Sequence, residues 1–118
     1  MDVDHPRIVR DRLPLAEVGE LAAYRFGDMV KATVDVGRGV MPIGGELHSD
    51  EEAMLLQDGS MQSDVWGINL YPGESGDGWI EFDSMINVRP SQGNRSRGVD
   101  EPATQARIRR VVEALIER

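Results

Sequence analysis

The sequence predicts an α+β fold, a mainly antiparallel sheet of four to five strands with about three helices packed on one face, in the order (β)αββαββα. Three observations favour it. Apolar and polar residues alternate over residues 30–36, the pattern of a strand with one buried face. Apolar residues recur every three to four positions over residues 14–25, the pattern of an amphipathic helix. Polar, glycine-rich turns at residues 37–39 and 72–78 each join two strands into a hairpin.

The first half of the chain supplies one helix and one hairpin after an irregular start. Residues 8–10 are a possible edge strand. Pro14 suits the first turn of the helix, because the N–H that proline lacks has no helical partner there. Gly27 ends this helix, and residues 30–36 then pair with residues 40–43 in the first hairpin.

The second half repeats this arrangement. Ser49 and Glu52 have the spacing of a capping box, which predicts a short helix with Ser49 as its N-cap. Residues 66–70 and 80–88 alternate as the two strands of the second hairpin. A C-terminal amphipathic helix then begins at residues 100–102.

Composition and charge limit the classes of function. The 118 residues are expected to form one domain, residues 14–118, after an N-terminal segment, residues 1–13. The absence of cysteine excludes disulfides and thiolate chemistry. The net charge of −8 argues against a nucleic-acid partner. No apolar run reaches the ~20 residues of a membrane span. The N-terminus has no apolar signal-peptide core, so a cytoplasmic protein without membrane contact is expected.

The loop at residues 89–98 is the first candidate site. It combines glycines with many hydrogen-bond donors, as in an anion-binding nest. The candidate ligand-binding residues are Arg89, Asn94, Arg95, Ser96 and Arg97. No complete phosphate-loop or dinucleotide motif is present, and Asp100 and Glu101 would repel an anion at the start of the next helix. The alternative is that the arginines pair with the protein's own carboxylates, such as Glu81 or Asp83.

Residues 44–52 form the second candidate site. In an extended segment Glu46 and His48 point to one side, and Glu52 follows four positions after His48. A histidine with carboxylates could bind a divalent metal ion. Equally, His48 and Glu46 could act as an acid–base pair. The alternative is that the capping box and the helix dipole account for the acidic residues without any ligand.

The polar face of the predicted sheet is the third candidate site. Its residues are, in chain order, Lys31, Thr33, Asp35, Asn69, Glu81, Asp83, Asn87 and Arg89. Glu81 and Asp83 lie two positions apart and could share a proton or a metal ion. Otherwise the face is solvated, with ion pairs between strands, or it docks a partner.

Several stretches of the sequence resemble a family of small uncharacterised proteins of bacteria and archaea, catalogued as a domain of unknown function. They are residues 26–32 (FGDMVKA), 44–52 (GGELHSDEE), 64–71 (DVWGINLY), 80–87 (IEFDSMIN) and 89–98 (RPSQGNRSRG). The resemblance covers most of residues 14–117. It implies no activity, cofactor or site residue.

Two functions from different classes follow. In the first, the loop at residues 89–98 holds a small phosphate- or carboxylate-bearing ligand, and the candidate catalytic residues Glu46, His48, Glu81 and Asp83 act nearby. In the second, the protein is an interaction module or a homodimer that uses the polar sheet face or the arginine loop. The first function requires the loop and the segment around His48 to meet in space. The sequence identifies no cofactor and leaves open whether the protein is an enzyme.

Overall fold

The computed structural model describes residues 5–118, which form the predicted α+β fold. The helices are α1 (Leu15–Arg25), α2 (His48–Gln57) and α3 (Pro102–Leu115). The strands are β1 (Arg7–Val9), β2 (Leu13–Pro14), β3 (Val30–Asp35), β4 (Met41–Ile43), β5 (Val65–Leu70), β6 (Ile80–Glu81) and β7 (Ile116–Glu117). Within residues 5–118, no helix has the length and apolar character that crossing a membrane requires.

Five of the strands form an antiparallel sheet in the order β1-β4-β3-β5-β6. β3 pairs with β5 along its whole length, from Val30 opposite Leu70 to Asp35 opposite Val65. β1 lies at one edge beside β4. β2 and β7 form a separate parallel pair, which the sequence does not reveal because a two-residue strand has no periodicity to detect.

The main core lies between the sheet and the helices α1 and α3. Val30, Ala32 and Val34 of β3 are buried in one cluster with Leu21 of α1 and Val112 of α3. These side chains follow the alternation and the helical spacing read from the sequence, since both patterns place apolar groups on the buried side.

Helix α2 lies on the opposite face of the sheet, so the expectation that all helices share one face does not hold for it. The hydroxyl of Thr33, which points away from the main core, donates a 2.9 Å hydrogen bond to the Glu51 carboxyl of α2. Leu55 of α2 packs with Val40 and Val65 in a second, smaller apolar cluster. The sheet is therefore covered on both faces.

This second layer buries much of the polar sheet face that the sequence predicts to be open. Thr33 and Asp35 have no exposed surface, and Asn69 is 5% exposed. The burial of Thr33 and Asp35 is tolerated because their side-chain oxygens have partners, whereas Asn69 donates through its side-chain amide and its side-chain oxygen has no partner within residues 5–118. Asp35 accepts hydrogen bonds from the backbone N–H of Gly37 at 2.9 Å and from the Ser60 hydroxyl at 2.6 Å. This part of the face cannot serve as a docking surface.

The long strand predicted over residues 80–88 is also wrong, because β6 ends at Glu81. The chain then crosses the α2 side of the sheet over Gly67, where an added Cβ would lie 2.6 Å from Ser84. Asn87 fixes the crossing by accepting from the Gly67 N–H and donating to the Gly67 carbonyl, both at 2.9 Å. Apolar and polar residues continue to alternate past Glu81 in the sequence. The chain nevertheless turns back across the sheet there, because Gly67 has no side chain to block the approach of Ser84.

Candidate functional site

The loop at residues 89–98 folds around an acceptor that belongs to the protein itself. The Asp100 carboxylate accepts hydrogen bonds from the Arg95 backbone N–H at 2.9 Å and from the Ser96 hydroxyl at 2.5 Å. The Ser96 hydroxyl, and then the Arg95 amide, hold the pKa of Asp100 below its usual value. Asp100 thus supplies the negative charge that the sequence analysis assigns to a ligand of this loop.

Asn94 and Arg89 also hold the loop in place. Asn94 is buried and donates to the backbone carbonyls of Asn87 at 2.7 Å and Gly98 at 2.9 Å. Arg89 donates to two backbone carbonyls and lies 4.3 Å above the centre of the Trp66 ring. Arg89 is itself partly buried, and this lowers the pKa of its guanidinium from the usual value. The side-chain amide of Asn94 and the two terminal nitrogens of Arg89 therefore donate to the protein itself, while Nε of Arg89 is buried without a partner among the residues that the structure describes.

The carboxylates of Glu81 and Asp83 have separate partners. Glu81 accepts from the side-chain amide of Asn69 at 2.8 Å and from the Tyr71 hydroxyl at 3.2 Å. Asp83 accepts from Nε of Arg97 at 2.6 Å, and both of these side chains are about half exposed. Asp83 therefore orients an arginine of the loop, in line with the alternative in which these arginines pair with the protein's own carboxylates.

His48 begins α2 and is 7% exposed. Its Nε2 lies 2.7 Å from the carbonyl oxygen of Ile68, which can only accept, so Nε2 carries the proton. The pKa of His48 is lowered to about 4, chiefly by burial and in smaller part by the cations Lys31 and Arg97, while the Ile68 carbonyl and Asp83 oppose the shift. Near neutral pH the ring is uncharged, with an unshared electron pair on Nδ1.

The capping box is wrong, because α2 begins one residue before Ser49. The N-cap position is Leu47, and no side chain caps the helix. Glu51 is a buried ionisable side chain that no sequence motif indicates. It has no exposed surface, and it accepts from the Gly45 N–H at 2.8 Å and from the Thr33 hydroxyl at 2.9 Å. Burial raises the pKa of Glu51 well above its usual value.

The structure does not bring the three weak metal-ligand candidates together. Glu46 is exposed and lies 3.9 Å from Arg25. Glu52 lies near Arg89, where its charge opposes the lowering of the Arg89 pKa by burial. His48 is directed at Ile68. Residues 5–118 contain no cluster of three or more side chains of His, Asp or Glu that could hold a metal ion.

Lys31, His48 and Arg97 meet instead at a small cavity, here called the His48 cavity. It has a volume of about 140 Å³ and is also lined by Leu47, Ser49 and Met85. The loop at residues 89–98 and the segment around His48 therefore converge, as the first hypothesis requires, but only through Arg97. No motif indicates this cavity, because its residues come from β3, the start of α2 and two separate loops.

Larger cavities lie elsewhere. One of about 290 Å³ is lined by Gly27, Tyr71 and Pro72, and two others exceed it in volume. One of about 650 Å³ is lined by Trp79, whose ring lies 4.6 Å below the Arg118 guanidinium. The other, of about 400 Å³, lies beside Trp66 and is lined by Asp100, Glu101 and Arg107, so its acidic residues outnumber its single basic one. Neither contains His48 or Arg97.

Comparison with known proteins places the chain in a family. No curated protein and no solved structure matches it. One family model matches residues 7–115, which includes β1 upstream of residue 14. The chain therefore belongs to the family described as "Protein of unknown function (DUF5674)", in agreement with the resemblance of its motifs to a domain of unknown function.

Proposed function

We propose that the protein binds a small anion, through a carboxylate or phosphate group, in the His48 cavity. The observation that carries the proposal is the meeting of two cations, Lys31 of β3 and Arg97 of the loop, at the N-terminal end of α2. Cationic side chains and the backbone N–H groups of a helix N-terminus favour bound oxyanions for the same electrostatic reason.

Each group has a distinct role in this proposal. Asp83 accepts from Nε of Arg97 and so orients the guanidinium, whose two terminal nitrogens make no hydrogen bond within the described residues. Lys31 supplies a second positive charge. Because Leu47 at the N-cap position has no side-chain acceptor, the first N–H groups of α2 lack an internal cap.

His48 reports on the cavity. An anion held beside its ring favours the imidazolium form, so binding raises the pKa of His48 from about 4. The experiment is an NMR titration of the imidazole signals with pH, without and with sodium acetate or phosphate at constant ionic strength. His5, which does not line the cavity, serves as the internal reference. An unchanged pKa of His48 at saturating concentrations of both anions refutes the proposal.

Substitutions locate the binding groups. Calorimetric titration with acetate and with phosphate is compared for the wild type, Arg97→Gln and Lys31→Gln. A charge-assisted hydrogen bond contributes about 1.5–3 kcal/mol, so each loss weakens binding by about ten- to a hundred-fold. Arg95→Gln is the matched control, because it removes an exposed arginine of the same loop that does not line the cavity. Equal weakening in the control contradicts the assignment.

Catalysis by the candidate residues Glu46, His48, Glu81 and Asp83, and a homodimer, stay predictions. The polar sheet face that the interaction hypothesis invokes is largely covered, as Thr33 and Asp35 show. Binding of an anion is therefore the function that the geometry supports best.

A further inference from the structure

We propose that the ligand of the His48 cavity is a small monocarboxylic acid with a short apolar chain, which lies on Leu47 and Met85. This inference rests on the proposed function and names the chemical class of the ligand.

The size of the cavity limits what enters it. A volume of about 140 Å³ has room for roughly four or five water molecules, at about 30 Å³ each. That space accommodates a carboxylate group but not the rest of a larger molecule. Any substituent must therefore leave through the mouth of the cavity.

Apolar side chains stand where that substituent would leave. Leu47 is 54% exposed and Met85 is 65% exposed, and both line the cavity. Phe26, 39% exposed, lies 5.4 Å below the Lys31 ammonium. Single exposed apolar residues are common, but here two of them border one cavity that also holds two cations. A mouth of this kind matches a ligand that is charged at one end and apolar at the other.

The charge of the cavity distinguishes a carboxylate from a phosphate. Lys31 and Arg97 contribute two positive charges, and Asp83, which pairs with Arg97, contributes one negative charge. His48 is uncharged near neutral pH. The remaining single positive charge complements a monoanion better than a dianion.

The experiment is a calorimetric titration of the wild-type protein with acetate, butanoate, hexanoate and inorganic phosphate at pH 7.5. A fully buried methylene strengthens binding by up to about fourfold. Hexanoate has four more methylenes than acetate, so even partial burial of its chain is expected to make it bind at least about tenfold more tightly than acetate. Phosphate is expected to bind more weakly than hexanoate.

Two variants test the apolar contact. In Met85→Ser and Leu47→Ala the dependence on chain length should flatten, while acetate binding is retained, because neither substitution adds an acceptor that competes for the first N–H groups of α2. Both positions are exposed, so both variants are expected to fold. Met61→Ser is the matched control, because Met61 is 67% exposed and does not line the cavity.

The outcomes separate this inference from the proposed function. If acetate and hexanoate bind equally, or Met61→Ser acts like Met85→Ser, the apolar part is refuted and the anion site stands. A peptide that ends in leucine is tested beside hexanoate. If the peptide binds more tightly than hexanoate and loses binding when its C-terminus is amidated, the ligand is a protein C-terminus and not a small acid. If no anion binds and the pKa of His48 does not move, both proposals fail.

Discussion

His48→Gln removes a buried imidazole whose protonation opposes folding. The ring is 7% exposed, and burial lowers its pKa from an ordinary 6.5 to about 4. The unfolded chain therefore binds a proton at a higher pH than the folded protein does. For a group with a lowered folded pKa, the stabilisation is complete above the unfolded value and is lost as the pH falls through the folded value. Glutamine does not titrate, and its amide can donate to the Ile68 carbonyl in place of Nε2.

The expected magnitude follows from the two pKa values. With 6.5 in the unfolded chain and about 4 in the folded protein, the wild type loses about 2 kcal/mol of unfolding free energy by pH 5, and about 3 kcal/mol by pH 4, relative to pH 8. His48→Gln loses none of this, although both proteins share the contributions of the other titrating groups. The difference between the two proteins isolates the contribution of His48.

The assay is urea denaturation followed by tryptophan fluorescence at pH 8, 6, 5 and 4 for both proteins, with His5→Gln as the control. The free-energy difference between wild type and His48→Gln should shift by about 3 kcal/mol over this range. Parallel pH profiles for wild type and His48→Gln would show that the imidazole is not protected from protons, and the reasoning from burial would be wrong.

Three further perturbations test the covered face of the sheet. Glu51→Gln should keep its stability at alkaline pH, whereas the wild type loses stability as the pH rises through the raised pKa of Glu51. The measurement is the urea midpoint of both proteins at pH 6 and pH 9, and an equal loss of stability in the two proteins would contradict the prediction. Gly67→Ala should lose about 1–3 kcal/mol, because its Cβ would lie 2.6 Å from Ser84; Gly73→Ala, with no atom within 4 Å of the new Cβ, should be neutral in the same measurement. Asn87→Ala should cost about 1–3 kcal/mol by leaving the Gly67 N–H without its partner; hydrogen exchange at that amide should accelerate, and an unchanged rate argues against the contact.

The elements that the sequence predicts best are those with long, regular patterns. Helix α1 begins one residue after the expected start, and β3 ends one residue before the expected end. The apolar repeat spans about three turns in α1 and six residues in β3. A pattern of that length is visible in the local sequence alone. The capping box failed because Leu47, rather than Ser49, precedes the helix, and the choice between adjacent starts depends on what the first turn packs against.

The candidate site is recovered only in part. The sequence places His48, Asp83 and Arg97 in three separate candidate sites, and it places Lys31 on a polar sheet face that is either solvated or a surface for a ligand or partner. The structure joins Lys31, His48 and Arg97 at one cavity. It also assigns Ser96 to Asp100, a carboxylate that the sequence analysis treated only as repulsive.

By itself the sequence determined the α+β class, the alternation that builds the main core, and the family to which the chain belongs. Tertiary structure alone decided that α2 covers the polar face of the sheet, that the chain turns back over Gly67, and that the loop at residues 89–98 closes on Asp100. The physical reason is that hydrophobic periodicity is a local property, which short-range backbone geometry converts into helices and strands. Some partners of buried polar groups, such as Ser60 for Asp35 and Thr33 for Glu51, come from residues distant in the chain, and no local pattern specifies which of the available donors they meet.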